Sequence, residues 1–225
     1  NYVNQVLILN EGYFDYTNNE IIEPASIGSY NPMSEVYTEV LELEGMRFAS
    51  DLIIDNDVYY VAADTKIFKI NLNTHEIISS VNCQGVRNLA VVGDKLFATR
   101  GEYLVDFDSY LHIYSANDLS LELALDNESG PKWATQNIIS IGEKVYFAIN
   151  NAYEFGNEKG IIGVYNSENL VYEEVDLGPE AKNPDNLVKS GEFIYTVNNK
   201  DWSGASISKL AIDLSENETV SLSSV

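Results

Sequence analysis

The sequence predicts an all-β protein, a β-propeller made of four-stranded antiparallel blades. One observation is a hairpin of two apolar strands that returns along the 225 residues, with anchors spaced by 37, 49 and 49 residues at Leu52, Leu89, Ile138 and Leu187. Another is a second pair of strands after each hairpin, joined by a turn rich in Asn, Ser and Asp. No long stretch has the apolar period of a helix. A four-stranded unit that returns at this spacing is typical of a propeller blade.

Each hairpin has the same internal order: an Asx residue, a short apolar strand, a polar turn and an apolar-aromatic strand. The copies cover residues 49–62, 86–99, 134–150 and 183–199. The Asx side chains are expected to be structural, because their oxygens can accept hydrogen bonds from exposed backbone amides. These residues are Asp51, Asn88, Asn137 and Asn186.

Third and fourth strands complete each unit. The third strands are expected at 25–30, 66–70, 111–114, 161–165 and 206–212, and the fourth at 36–43, 76–81, 121–125, 171–177 and 218–222. The first unit lacks a first strand, because the segment Val6–Leu9, followed by Asn-Glu-Gly, matches second strands elsewhere. Residues 13–24 are expected to form a loop.

We predict a single β-propeller domain over residues 1–225. Its five blade units are expected at 5–46, 47–84, 85–132, 133–182 and 183–225. No closing strand follows the last fourth strand, so either the ring is open or further blades follow. We expect a chain that is incomplete at its C-terminus, because an open ring exposes an apolar face and a free strand edge.

The charge balance excludes some classes of partner. The chain has 35 acidic and 13 basic side chains, a formal charge of -22 at pH 7. Nucleic acid is excluded as a partner, because phosphate binding needs clustered Lys and Arg. The single cysteine, Cys83, follows a strand-like stretch and is expected to be a buried or half-buried thiol. No apolar run approaches the ~20 residues that span a bilayer, so direct membrane insertion is not expected.

Strand direction predicts where ligands would bind. In an antiparallel four-stranded blade, the two short turns lie at one end, and the loop from the second to the third strand lies at the other end, beside the entry to the blade. We call this second end the loop end. Its long loops are expected at 13–24, 100–110, 151–160 and 198–205. Long loops on a rigid scaffold are where binding residues concentrate.

Two sets of candidate ligand-binding residues belong to the loop end. The polar set lies at the blade entries and consists of Arg47, Arg87, Lys132 and Asn183. The aromatic set consists of Trp133, Tyr103, Phe107, Tyr153, Phe155 and Trp202. Rings that stack on a flat ligand, with cations at its polar edge, would form a binding site. In the structural alternative, the cations pair with Asp51, Glu11 or a loop carboxylate, and the rings pack against neighbouring blades.

No catalytic residue, metal ligand or cofactor is predicted, and the protein is expected not to be an enzyme. His75 lies in a third-to-fourth turn and His112 lies within a third strand, and neither belongs to a nucleophile or metalloprotease motif. Asp106 and Asp108 alternate in a loop, but Ca²⁺ needs about six to eight oxygen ligands, so calcium is disfavoured there.

Three phrases resemble the YncE-like cell-surface propellers of Gram-negative bacteria. They are Val6-Leu-Ile-Leu-Asn-Glu-Gly12, Val91-Val-Gly-Asp-Lys-Leu-Phe97 and Asn183-Pro-Asp-Asn-Leu187. The resemblance implies a ring of about seven blades. It also implies a lipoprotein, anchored by an N-terminal lipid on the extracellular face of the outer membrane, with the periplasm as the alternative location. One branch of these propellers captures cobalamin for a TonB-dependent transporter.

The expected function is therefore that of a non-enzymatic surface propeller that binds a ligand at its loop end. The resemblance implies that the ligand is a small molecule such as a corrinoid, captured for an outer-membrane transporter. The alternative is an interaction scaffold on the bacterial surface that binds a protein or a surface glycan.

Overall fold

The fold is built from β-strands. The computed structural model describes residues 5–200 and 204–222, and these ranges contain no α-helix but include a 3-10 turn at Pro179–Ala181. The chain divides into two compact units, the first ending at Val86 and the second beginning at Arg87. The prediction of an all-β protein with four-stranded antiparallel sheets is confirmed.

The first unit contains two larger sheets and one hairpin. Strands β1, β4 and β5 pair in that order, β2 pairs with β3, and β6 to β9 pair in chain order. The first sheet has three strands, as the sequence predicts for a unit without a first strand. The strands are β1 (Val6–Asn10), β2 (Tyr13–Asp15), β3 (Glu20–Glu23), β4 (Ser26–Asn31), β5 (Val36–Glu42), β6 (Ala49–Asp55), β7 (Val58–Ala63), β8 (Lys66–Asn71) and β9 (Ile77–Asn82).

The hairpin β2–β3 corrects the prediction of a loop at residues 13–24. An Asx turn organises it: Asp15 Oδ1 accepts hydrogen bonds from the backbone N–H of Thr17 at 2.7 Å and of Asn18 at 3.2 Å. The strands are three and four residues long. They are too short for the alternation of apolar and polar residues to reveal them in the sequence.

The second unit contains three sheets, each with its strands paired in chain order. The first sheet consists of β10 (Val86–Val92), β11 (Lys95–Arg100), β12 (Ser109–Ser115) and β13 (Leu121–Asp126). The second consists of β14 (Thr135–Ile141), β15 (Lys144–Ile149), β16 (Ile161–Asn166) and β17 (Val171–Asp176). The third consists of β18 (Pro184–Ser190), β19 (Phe193–Asn198), β20 (Ala205–Ala211) and β21 (Asn217–Leu222).

The first turn of each four-stranded sheet requires a left-handed backbone conformation. In the second unit this position is always a glycine, the residue that adopts positive φ without a steric penalty. Asparagine, which also tolerates this region, replaces it in the first unit. These residues are Asn56, Gly93, Gly142 and Gly191, with φ of 53°, 59°, 59° and 58°.

Three residues singled out in the sequence have the structural roles expected of them. Cys83 is buried. Asn137 Oδ1 accepts a hydrogen bond from the backbone N–H of Leu187 at 2.9 Å, which ties the second sheet of this unit to the third. Asp51 Oδ1 accepts one from the N–H of Leu52 at 3.0 Å. Both contacts satisfy backbone donors at the start of a blade.

Strand β15 is buried on both faces because it lies between two apolar clusters. Val145, Phe147 and Ile149 belong to the cluster shared with the sheet β10–β13. Tyr146, whose side chain points the other way, belongs to the cluster shared with the sheet β18–β21. Its hydroxyl donates a hydrogen bond to the backbone oxygen of Ile212 at 2.7 Å. A strand that is packed on both faces has apolar residues at consecutive positions, and the sequence of β15 has this pattern.

Close packing in this core gives a first prediction. A Cβ atom at Gly163 would lie 2.4 Å from Cε2 and Cζ of Phe147. We therefore expect Gly163→Ala to lower the free energy of unfolding by about 1–3 kcal/mol, the usual effect of overpacking a core. Adding Phe147→Leu to this variant should recover part of the loss. Urea denaturation measures both effects.

Gly204→Ala is the control for that experiment, because no atom lies within 4 Å of its added Cβ. We expect its stability to stay close to that of the unsubstituted protein. Equal stabilities for Gly163→Ala and Gly204→Ala would contradict the packing described here.

Candidate functional site

The loop end of the second unit contains a cleft between two long loops. Its volume is about 420 Å³. One wall is the loop that follows β11, with Glu102, Leu104 and Asp106, and the other is the loop that follows β15, with Asn151 and Glu154. Both loops lie at the end where the strand directions predict binding residues.

Aromatic packing supports the floor of this cleft. Tyr110, Ala134 and Phe107 are buried in one cluster, and Tyr153 packs against it. The rings of Phe107 and Tyr110 meet edge to face at 5.8 Å. Gly101 allows Tyr153 to approach the first loop, because a Cβ at this position would lie 2.8 Å from the ring carbon Cε2. The two loops therefore form one packed structure rather than two independent segments.

The cleft is acidic. Its described lining residues include three carboxylates, Glu102, Asp106 and Glu154, and no Lys or Arg. Side-chain hydrogen bonds from Asn151 and Asn157 lower the pKa of Glu154, so this carboxylate is charged at neutral pH. Such a lining attracts a cationic group and repels an anion.

The predicted cations Arg47 and Arg87 have partners within the protein. Arg47, in the first unit, forms an ion pair with Asp64, with 2.9 Å between Nε and Oδ2. Its guanidinium also lies 5.4 Å from the ring centres of Phe14 and Phe48. Arg87, in the second unit, lies 5.4 Å from the ring of Tyr153. The structural alternative, in which a cation pairs with a loop carboxylate, is therefore the observed arrangement for Arg47.

Two of the predicted aromatic residues also stack on cations of the protein. The guanidinium of Arg100 lies 4.0 Å from the ring of Phe107, and Lys159 Nζ lies 4.3 Å from the ring of Trp133. Cation–π contacts of this kind stabilise by about 0.5–2 kcal/mol, depending on exposure. They hold the long loops against the sheets.

The remaining predicted residues do not converge on a single site. Lys132, Tyr103 and Phe155 are exposed. Asn183 is buried at φ 61°, and its backbone N–H donates to the backbone oxygen of Lys159 at 2.8 Å. Trp202 lies outside the described residues.

Sequence reasoning missed a buried polar network behind the cleft. Arg100 is buried at the end of β11, where its Nη1 donates to the backbone oxygen of Ser109 at 2.5 Å. The same nitrogen lies 2.9 Å from Nε2 of His112, and Nδ1 of that ring lies 3.0 Å from the hydroxyl of Tyr114. Arginine only donates, so Nε2 must accept and the neutral ring holds its proton on Nδ1. A lone Arg at the end of an apolar strand is the signal that was available in the sequence.

The crystal structure of BamB from Moraxella catarrhalis is similar to this chain. The TM-score is 0.57 at 10% sequence identity, and the match covers 81% of this chain and 50% of that one. Together with the recurring sheets, this likeness decides the fold class. The chain has a β-propeller fold.

The same likeness shows that the chain spans about half the length of that structure. No family model matches the sequence, and no curated protein matches it. The propeller fold implied by the YncE-like resemblance is thus shown, while membership of that family stays a prediction. Within residues 5–200 and 204–222, no helix is long and apolar enough to cross a membrane.

The buried histidine gives a prediction about pH. Burial, together with the charge of Arg100, lowers the pKa of His112 from 6.5 to about 4. Between these values the unfolded chain binds more protons than the folded protein does. The stability that neutral His112 contributes is therefore fully present above pH 6.5 and is lost as the pH falls toward about 4.

We expect the free energy of unfolding to fall less between pH 7 and pH 5 in His112→Asn than in the unsubstituted protein. Urea denaturation at the two pH values measures this difference. His75→Asn is the comparison, because burial also lowers the pKa of His75 but no guanidinium is among the causes, so we expect this variant to reduce the pH dependence less than His112→Asn does. An unchanged pH dependence in His112→Asn would show that this histidine does not contribute to it.

Proposed function

We propose that the protein is a non-enzymatic interaction module that binds a partner protein through the loop end of its second unit. The exposed apolar groups beside the acidic cleft are the main support for this proposal. Tyr103, Leu104 and Phe155 are 58%, 84% and 72% exposed. Tyr103 and Leu104 belong to the loop that forms one wall of the cleft, and Phe155 belongs to the loop that forms the other. Exposed large apolar residues beside a polar cleft are typical of interaction sites.

The chemistry of the loop end favours a partner with basic and apolar side chains. Carboxylates line the cleft, so a Lys or Arg side chain of the partner would enter it with favourable charge. The exposed residues on either side would bury apolar surface, at roughly 25 cal/mol for each Å² removed from water. The whole chain, with a formal charge of -22, adds long-range attraction for a basic partner.

A small-molecule ligand is the second candidate, because a volume of about 420 Å³ lies within the range of small-molecule sites. A corrinoid, which the YncE-like resemblance implies, is one such ligand. It receives less support here, because Arg87 stacks on Tyr153 and Phe107 stacks on Arg100. Residues that already contact one another would have to separate before they could hold a flat ligand. A surface glycan remains an alternative partner for the same exposed residues.

The cell surface is the location that we propose, again from the resemblance. A lipid anchor at the N-terminus would hold the propeller on the extracellular face of the outer membrane, with the periplasm as the alternative. An outer-membrane transporter is then a natural partner.

The experiment compares three forms of the protein. One carries Tyr103→Ser, Leu104→Asn and Phe155→Ser. A matched control carries Ile54→Ser, which replaces an apolar residue of similar exposure in the first unit. Each form is immobilised and incubated with detergent extracts of Gram-negative outer membranes, and cobalamin binding is measured by calorimetry. We expect a partner protein bound by the unsubstituted and Ile54→Ser forms to be lost from the triple variant, because its apolar contact surface is gone.

Retention of that partner by the triple variant would place the interaction elsewhere on the chain. Tight cobalamin binding that also survives the three substitutions would remove the loop-end assignment altogether. Cobalamin binding lost in the triple variant, with no protein recovered, would replace the partner protein by the small-molecule candidate.

A further inference from the structure

A second surface of the protein has the properties of a binding site. A groove of about 460 Å³ runs between the sheets β10–β13 and β14–β17, beside their outermost strands β13 and β17. Its floor is apolar and consists of the buried side chains Ile113, Leu125 and Tyr165. Leu123 and Leu170 line its rim and are 42% and 65% exposed.

The single ion pair in the groove leaves its interior without net charge. Lys95 Nζ lies 3.0 Å from Glu122 Oε2, and both residues line the groove. Tyr172 forms part of the lining and is held in place by stacking on Phe147, with 6.2 Å between ring centres and 13° between ring planes. The groove is therefore a preformed, mostly apolar concavity with few polar groups, as ligand sites commonly are.

Neighbouring blades do not all carry apolar residues where their outer strands meet. The junction between the sheets β14–β17 and β18–β21 has polar residues at the positions that form the apolar rim here. Strand register relates the two junctions. Leu123 pairs with Ile113, and the corresponding pair in the next sheet is Glu173 with Val164. Tyr172 pairs with Tyr165, and its counterpart, Asn217, pairs with Leu210. The position of Leu123 is thus occupied by the exposed carboxylate Glu173 at the neighbouring junction, and the position of Tyr172 by the exposed amide Asn217.

Leu170 occupies a left-handed position that recurs in the turns between third and fourth strands, at Glu35, His75 and Leu119. This leucine has φ 60°, a left-handed conformation that bulky side chains rarely adopt. Leu119 has φ 62° in the corresponding turn of the preceding sheet, but its side chain is only 2% exposed, so burial offsets the strain. Leu170 gains little from burial. The left-handed conformation belongs to the turn, and what distinguishes Leu170 is an exposed apolar side chain on the rim of the groove.

The charges beside the groove indicate what kind of partner would bind. Residues 121–130 and 166–177 form its two banks and contain no Lys or Arg. Apart from Glu122, which pairs with Lys95, and Glu173, which belongs to the neighbouring junction, they contain five carboxylates. The part of an occupant that lies inside the groove must therefore be apolar, and the parts that lie over the banks must be basic. A peptide segment can place apolar side chains in the groove and basic side chains over both banks at once, whereas a detergent or lipid with a single cationic group cannot.

We propose that this groove binds a short segment of a partner protein, in which two or three apolar side chains are flanked by Lys or Arg. Leu123, Leu170 and Tyr172 contact the apolar side chains, and the acidic banks attract the flanking charges. This site is separate from the cleft at the loop end and does not depend on the function proposed for it.

The test uses a fluorescein-labelled synthetic peptide with three leucines at alternate positions and two lysines at each end. A second peptide has serine in place of every leucine. Fluorescence anisotropy of the labelled peptides gives the dissociation constants, and the protein is the full, unlabelled chain. We expect the leucine peptide to bind at least about tenfold more tightly than the serine peptide, because the anchors of an interface dominate its affinity.

Leu170→Asn separates binding from folding. Asparagine tolerates the left-handed region better than leucine does, so this variant should keep or raise the melting temperature. It should also weaken binding of the leucine peptide by about tenfold. Unchanged binding by Leu170→Asn would overturn the proposal.

A matched pair of charge variants checks that the groove, rather than the acidic surface, holds the peptide. Leu123→Glu and Leu121→Glu add the same charge to the same strand, but only Leu123 lines the groove. We expect Leu123→Glu to weaken binding despite its added attraction for lysine, and Leu121→Glu to keep or strengthen it. Equal affinities for the two variants, or for the two peptides, would indicate nonspecific electrostatic binding and would contradict the assignment of the groove as the peptide site.

Discussion

Packing on both faces of the inner strands is the constraint on which the rest of the second unit depends. Phe147 and Tyr146 are adjacent in β15, yet each fills a different apolar cluster. The sheet β14–β17 is thus stabilised by both of its neighbours at once. Because this packing fixes the positions of the strand ends, it also fixes which loops meet. The cleft at the loop end and the groove at the outer strands are both consequences of it.

The loops themselves depend on a different interaction. They have few of the backbone hydrogen bonds that join strands, and cation–π contacts help to hold them in place instead. Arg87 on Tyr153, Arg100 on Phe107 and Lys159 on Trp133 each join a cation to a ring from another segment. These side chains stabilise the scaffold, so the groups that line and flank the cleft are exposed apolar residues and carboxylates. A chain with 13 basic residues can therefore keep an acidic loop end.

The sequence predicted the sheets well because their information is local. The alternation of apolar residues, the Gly and Asn turns and the spacing of the hairpins all lie within single blades. The site was harder to predict, because its contacts join segments that are distant in the sequence. Arg87 and Tyr153 belong to different blades, and neither segment contains a pattern that indicates contact with the other. The stacking of Arg47 on Phe14 depends on the hairpin β2–β3, whose strands are too short to be recognised from alternation. Residue types were thus visible in the sequence, whereas their pairing was not.

One backbone feature links the two surfaces. Four leucines among the described residues have positive φ, namely Leu104, Leu119, Leu170 and Leu214. Leu119 is buried, and Leu214 packs against the cluster between the last two sheets, so their strain is offset. Leu104 and Leu170 are the two that are largely exposed, and each lines one of the proposed surfaces. Folding alone favours Gly or Asn at such positions. Glu35 and His75 occupy the turn position of Leu170 in the first unit with polar side chains, so the outward leucines add exposed apolar surface that the turn itself does not require.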